Sequence, residues 1–501
     1  MPALLSHSPR IMFFITALAA LLVTVNDHAA GSCEGLASLK LPDATITAAE
    51  RNAKESFDQP EGRHPPGSCR VAAILTPSRE SRINVEVWLP LSGWNGKLQA
   101  VGNGGWGGSI PSGLLNAALA RGYAAVATDT GHEGGGGPWM QNREKLIDFG
   151  YRAVHEMTVK AKAIVESFYG TAPRFSYFTG CSGGGRQALM EAQRYPHDFD
   201  GIVAGSPSLN ATGRATFSMW VAQNLRKEPA SYIPDRKYAL IHKAVVDACD
   251  ATDGVADGVI ENPSRCTFDP QVLLCKGADA DSCLTAAQVA AARSIYQPLV
   301  DAGTRHEIAP GLSYGSELGW ATFGAQQPFG LGTLMFQYLV FNNPNWEYKS
   351  LNVDSDMPRV RTAEAGVINA MDPNLQPFFT SGGKLIQYHG WADPQIQPLS
   401  SVEYFDSVVQ RMGGAANIRD SYRLFMVPGM AHCGGGEGTS SFDMLTALEQ
   451  WVERGRAPDA IPASRVISGR VDRTRPLCPY PQQAAYKGSG DVNDAANFVC
   501  R

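Results

Sequence analysis

Phe175-Ser176-Tyr177-Phe178-Thr179-Gly180-Cys181-Ser182-Gly183-Gly184-Gly185-Arg186-Gln187 is the stretch that decides the fold. An aromatic-rich run, 175–179, reads as a strand. It ends in Gly180-Cys181-Ser182-Gly183-Gly184, a Gly-x-Ser-x-Gly pattern. That pattern is the tight strand-to-helix turn that lifts a nucleophilic serine out of a sheet. A helical run, 187–194, follows and Pro196 stops it.

Outward from this turn the same rhythm repeats. Residues 97–101 read as a strand ending in Gly102-Asn103-Gly104-Gly105-Trp106-Gly107-Gly108. Residues 123–128 are a second strand, followed by Asp129 and four glycines, 134–137. The apolar spacing over 146–169 predicts one long helix. Strands follow at 200–204, 384–389 and 422–427, and an earlier pair at 71–75 and 83–89. Strands alternating with Gly-rich loops and helices predict a parallel α/β sheet. Between 208 and 377 the rhythm breaks into a stretch with four cysteines, many aromatics and an acidic turn. The expected organisation is therefore a targeting segment (1–30), an α/β-hydrolase domain in two parts (31–207 and 378–501) and an inserted lid (208–377).

The 501-residue length allows a large core plus an insertion. A net charge of −5 argues against nucleic acid or an anionic membrane as the main partner. Arg10, an apolar run at 11–25 and Ala29-Ala30-Gly31 read as a secretory signal peptide, so the mature chain is expected to be secreted or periplasmic and free of the membrane. Ten cysteines in an exported chain predict five disulfides, and with no Cys-x-x-Cys among them zinc-ribbon and thioredoxin readings lack support. Spacing alone leaves the pairing open.

Serine needs a base to take its proton, and the base needs a third group to fix its tautomer. Ser182 is the nucleophile. His432 follows the strand 424–427 and is the last histidine of ten. The acid belongs on a loop between them. Asp393 fits, because it follows the strand 385–389 and a glycine turn, whereas Asp372 precedes the strand and Asp406 falls in a helical run. The order Ser, Asp, His is that of α/β-hydrolases. Of the other histidines, His155, His242 and His306 read as surface or capping residues, and His132 and His389 as possible pocket residues. The oxyanion donors are expected to be the backbone N–H of Gly183 and that of Gly104 or Gly105.

With these residues in place the chain resembles the tannase and feruloyl esterase family. The carrying segments are Gly102-Asn103-Gly104-Gly105, 179–187, Tyr388-His389-Gly390-Trp391-Ala392-Asp393 and Pro428-Gly429-Met430-Ala431-His432-Cys433. The family's mark is a cysteine beside both the serine and the histidine, here Cys181 and Cys433. The resemblance implies the pairs Cys181–Cys433, Cys33–Cys69, Cys249–Cys266, Cys275–Cys283 and Cys478–Cys500. It also implies a structural calcium in the lid, held by the side chains of Asp250, Asp253 and Asp257 and the carbonyls of Val255 and Val259. Carboxylates in a Gly-rich turn suit such a hard cation. No organic cofactor is implied.

The expected activity is serine carboxylesterase action on aromatic, hydroxycinnamic acid esters of the feruloyl type, as found on plant cell walls. Tannase action on galloyl esters and hydrolysis of mono(2-hydroxyethyl) terephthalate are the alternatives. A secreted phenolic- or carbohydrate-binding protein on a hydrolase scaffold is the non-enzyme alternative. Trp320, Phe323, Phe329, Phe336, Tyr338, Phe341 and Trp346 are candidate pocket aromatics, although for any one of them a place in the insertion's own core is the better reading. Residues 326–346 hold no Arg or Lys, which weighs against a terephthalate carboxylate unless the charge comes from elsewhere.

Overall fold

The computed structural model describes residues 31–52 and 67–501. The expected signal segment, 1–30, lies outside them. Nine strands form one sheet: β1 (Ala44–Asn52), β2 (Ser68–Leu75), β3 (Ile83–Pro90), β4 (Lys97–Val101), β5 (Ala124–Thr128), β6 (Phe175–Cys181), β7 (Gly201–Gly205), β8 (Lys384–Gly390) and β9 (Tyr422–Val427). Their order is β1-β2-β3-β5-β4-β6-β7-β8-β9. The first three strands pair antiparallel, and β3 pairs antiparallel with β5. From β5 to β9 every pairing is parallel.

Alternation along the central strands buries both faces. Phe178, Ile202 and Leu385 point into one cluster, with Met157, Leu189 and Val408. Their neighbours Tyr177, Val203 and Ile386 point into another, with Leu115, Leu448 and Trp451. A sheet covered on both faces explains why the central strands read as continuous apolar runs rather than alternating ones.

The helix expected at 187–194 begins earlier, at Gly183, so that α-helix Gly183–Arg194 starts directly behind Ser182. The helix expected at 146–169 is interrupted. A π turn, Asp148–Arg152, separates Arg143–Ile147 from Ala153–Tyr169. Two carbonyls at the π turn are taken up elsewhere: the Arg186 guanidinium donates to Phe149 O at 3.0 Å and Gly150 O at 2.9 Å, and also to Ile368 O at 3.2 Å. The break thus anchors the helix behind Ser182, a role in keeping with π turns elsewhere.

Between β7 and β8 the chain adds nothing to the main sheet. It builds its own core around the helix Ala211–Leu225, with Phe217, Trp320 and Phe336, and this core also takes in Trp106, Trp139 and Phe149. Five disulfides staple the molecule: Cys33–Cys69, Cys181–Cys433, Cys249–Cys266, Cys275–Cys283 and Cys478–Cys500. Among the described residues no helix is long and apolar enough to cross a membrane.

Candidate active site

Parallel strands bring their carboxyl ends together, and ligand sites gather there. Ser182 immediately follows β6, Asp393 lies three residues past β8, and His432 five past β9. Ser182 has φ 64° and ψ −118°, a conformation side chains rarely adopt. Such strain persists only where the surroundings hold it. Here the Ser182 N–H donates to Gly205 O at 3.0 Å, while Ser182 O accepts from Arg186 N–H and Ser208 N–H. Gly180 and Gly185 are required by close approach. A Cβ at Gly180 would sit 2.5 Å from the Gly184 backbone, and one at Gly185 2.3 Å from Gly205 O.

His432 Nδ1 lies 2.7 Å from Asp393 Oδ2. Asp393 is fully buried, and its other oxygen accepts from the N–H groups of Gln395 and Ile396. His389, also fully buried, places Nε2 3.2 Å from Asp393 Oδ2 and Nδ1 2.7 Å from Ser401 Oγ. Burial alone would raise the Asp393 carboxyl. The hydrogen bonds from His389 and His432 outweigh it and hold the group well below the usual carboxylate range. Asp393 therefore stays ionised, as the partner of a general base must. Asp372, by contrast, caps the N–H of Asn374.

Ser182, Gly183, Gly104, Gly105, His432 and both cysteines Cys181 and Cys433 line one cleft of ≈390 Å³. Gly183 packs on the 102–105 loop so closely that a Cβ there would stand 2.6 Å from Gly105 O. The loop is pinned to the helix behind the serine. Gln187 Oε1 accepts from Asn103 N–H at 2.9 Å, and Gln187 Nε2 donates to Asn103 Oδ1 at 3.1 Å. Asn103 Nδ2 then donates to Ser109 O and Thr128 O, tying the loop to the end of β5. From the other side, Trp106 Nε1 donates to Leu331 O in the inserted segment. Ser182, backed by a histidine–carboxylate pair and flanked by backbone N–H groups, can attack an ester carbonyl and hold the resulting oxyanion.

Residues 69–501 match the family model for tannase and feruloyl esterase. The chain belongs to this family. An uncharacterized esterase of Xanthomonas campestris is 37% identical, over 97% of this chain and 93% of that protein. A probable feruloyl esterase B-2 of Aspergillus terreus is 34% identical over 86% of each. The crystal structure of feruloyl esterase B from Aspergillus oryzae superimposes with a TM-score of 0.88 at 30% identity, covering 94% of this chain and 99% of that one. Like its family, the protein is a carboxylic ester hydrolase, which leaves no ground for a binding protein on a retired scaffold.

Several expectations change. His242 is not a surface or capping residue: it is buried between Glu317 and Glu437, 2.8 Å from each. His132 lines a separate cleft with Arg82 and Asp129, and His389 supports the acid rather than the substrate. The aromatics of the insertion are mostly its core. Trp320, Phe323 and Phe336 are buried there, and Phe336, Phe341 and Trp346 stack on one another. In their place Leu331 and Arg214 reach the cleft.

In the 250–259 turn the three carboxylates expected to hold a calcium are engaged within the protein. Asp250 accepts from the N–H groups of Asp257 and Gly258, and Asp253 from that of Val255. The Asp257 carboxylate is paired with Arg475 and Arg473. Among the described residues no three His, Cys, Asp or Glu side chains group as metal ligands.

Asn103, Arg186 and Gln187 stood in the family-matching segments without a role. Gln187 lies four residues past Gly183, on the same helix face, and that spacing is the signal that could have found it.

Proposed function

We propose that this enzyme hydrolyses esters of aromatic, hydroxycinnamic-type acids through an acyl-enzyme on Ser182. The observation that carries the reading is the φ 64° serine sharing one cleft with a histidine bonded to a buried carboxylate. Feruloyl esters are preferred because feruloyl esterases stand among the relatives at 30–34% identity. Ser182 Oγ attacks the ester carbonyl as His432 Nε2 takes its proton, since Nδ1 is committed to Asp393. Asp393 holds the ring's tautomer and balances the imidazolium. The N–H of Gly183 and one from the 104–105 pair bind the oxyanion. His432 returns the proton to the leaving alcohol, and water then repeats the cycle on the acyl-enzyme.

Residues 208–377 act as the lid over this site. The mature enzyme works outside the cytoplasm, a compartment in which five disulfides persist. A calcium at the 250–259 turn is carried by family resemblance alone, and a Tm that EDTA leaves unchanged discards it. No step of the reaction passes through it.

Side-by-side rates on methyl ferulate, methyl gallate and mono(2-hydroxyethyl) terephthalate, with Ser182→Ala as control, test the reading. A dominant, Ser182-dependent ferulate rate is expected. A dominant gallate or terephthalate rate keeps the mechanism and overturns the substrate.

A further inference from the structure

Two arginines are buried near Ser182, and they differ. Arg186, 1% exposed, spends its guanidinium on three backbone carbonyls. Arg214, 7% exposed, makes no side-chain hydrogen bond or ion pair among the described residues, and its Nε is buried without a partner. It comes from the helix Ala211–Leu225 and lines the cleft that holds Ser182 and His432. The Phe329 ring lies 5.1 Å from its guanidinium carbon. Ser208, which lines the same cleft, also has a buried hydroxyl without a partner among the described residues.

Burial pulls the Arg214 group down to about 10, with Asp393 acting in the opposite sense, so it stays charged at neutral pH. Asp393 is not its hydrogen-bond partner, because two backbone N–H groups and two histidines already occupy that carboxylate. A buried charge left unpaired is costly unless a ligand completes it. A rigid fork of N–H donors in one cleft with a free hydroxyl suits a carboxylate.

We propose that Arg214, with Ser208, is a carboxylate-recognition subsite beside the scissile ester. The preferred substrates then carry a free carboxylate, on the aromatic acid or on the leaving alcohol. This rests on the esterase reading above and narrows its substrate class. It also supplies, from the helix after β7, the charge that 326–346 lacks.

The test compares kcat/KM for matched ester pairs within each protein: monomethyl against dimethyl terephthalate for a carboxylate on the acid, and caffeoyl quinate against methyl caffeate for one on the alcohol. Wild type is expected to favour the anionic member of at least one pair by tenfold or more, and that pair locates the carboxylate. Arg214→Gln should cut this ratio by about 10- to 100-fold, the range for losing a charge-assisted bond. Arg214→Lys should retain part of it as a point charge without the fork. Equal ratios in wild type and Arg214→Gln, or no anionic preference in wild type, overturn the proposal. Should Arg214→Gln not fold, wild-type inhibition decides: terephthalate over terephthalamide, or quinate over quinamide, is expected to compete at least tenfold better, and equal inhibition within both pairs overturns the proposal. Ser182-dependent turnover of methyl ferulate without any carboxylate preference removes only the subsite. No Ser182-dependent turnover of any ester removes the esterase mechanism itself.

Discussion

Cys181 and Cys433 flank Ser182 and His432, the proposed nucleophile and base, and are 252 residues apart in sequence. Replacing both with serine separates two effects of one bond. Opening a loop of that length returns ~19 cal/mol/K to the unfolded chain on the loop-closure relation, or ~5.5 kcal/mol at 25 °C. At ~2.1 cal/mol/K of unfolding entropy per residue, about 1 kcal/mol/K for a chain of this size, the loss lowers Tm by ~5 °C. The second effect is positional. The bond ties the turn at Ser182 to the loop of His432, and a misplacement of ~1 Å between reacting groups costs about 100-fold in rate. The double variant should therefore lose 10- to 100-fold in kcat at 25 °C, where it remains folded. Steady-state rates at 25 °C beside a calorimetric melt make the measurement. The control is Cys478→Ser with Cys500→Ser, a bond closing only 22 residues whose cysteines do not line the cleft, which should lower Tm and leave kcat alone. A Cys181/Cys433 variant that melts lower yet turns over like wild type would refute the positional role.

Three further outcomes are expected. Gln187→Ala frees the 102–105 loop and should lower kcat by about 10- to 100-fold with KM little changed, the pattern of a lost oxyanion donor; a rise in KM alone would count against it. Gly180→Ala places a Cβ 2.5 Å from the Gly184 backbone, so it should abolish activity or expression, and near-normal kinetics would sink the account of the turn. The His242 clamp should weaken with rising pH. Burial works against its charge, but hydrogen bonds to Glu317 and Glu437 outweigh it and push the group up to about 9. That exceeds the ~6.5 of an unfolded histidine, so the clamp stabilises fully below ~6.5 and is lost as pH rises through about 9. The Tm gap between wild type and His242→Gln should close over that window, and a gap independent of pH would refute the linkage.

The amino-acid sequence by itself determined the alternation of strand, Gly-rich loop and helix, the turn at Ser182, the chain order that puts Asp393 and His432 after it, and the cysteine beside each end of the triad. These features are local. A strand's apolar run, a turn's glycines and a helix's period are set by neighbours a few residues away, so they survive in one dimension. Tertiary structure alone decided what distant residues do to one another. His389 reads as a possible pocket residue, yet it steadies the carboxylate four positions on. His242 reads as a polar helix residue, yet it joins the insertion to the loop of the base through Glu437. Which aromatics of the insertion would wall a pocket the sequence left open; most of them form or pack on its core, because a separate layer must bury its own apolar surface before it can offer any to a ligand. Arg186 and Arg214 are both buried arginines, and only packing separates them. Three backbone carbonyls meet the first, none meets the second, and that difference turns one into an anchor and leaves the other facing the cleft.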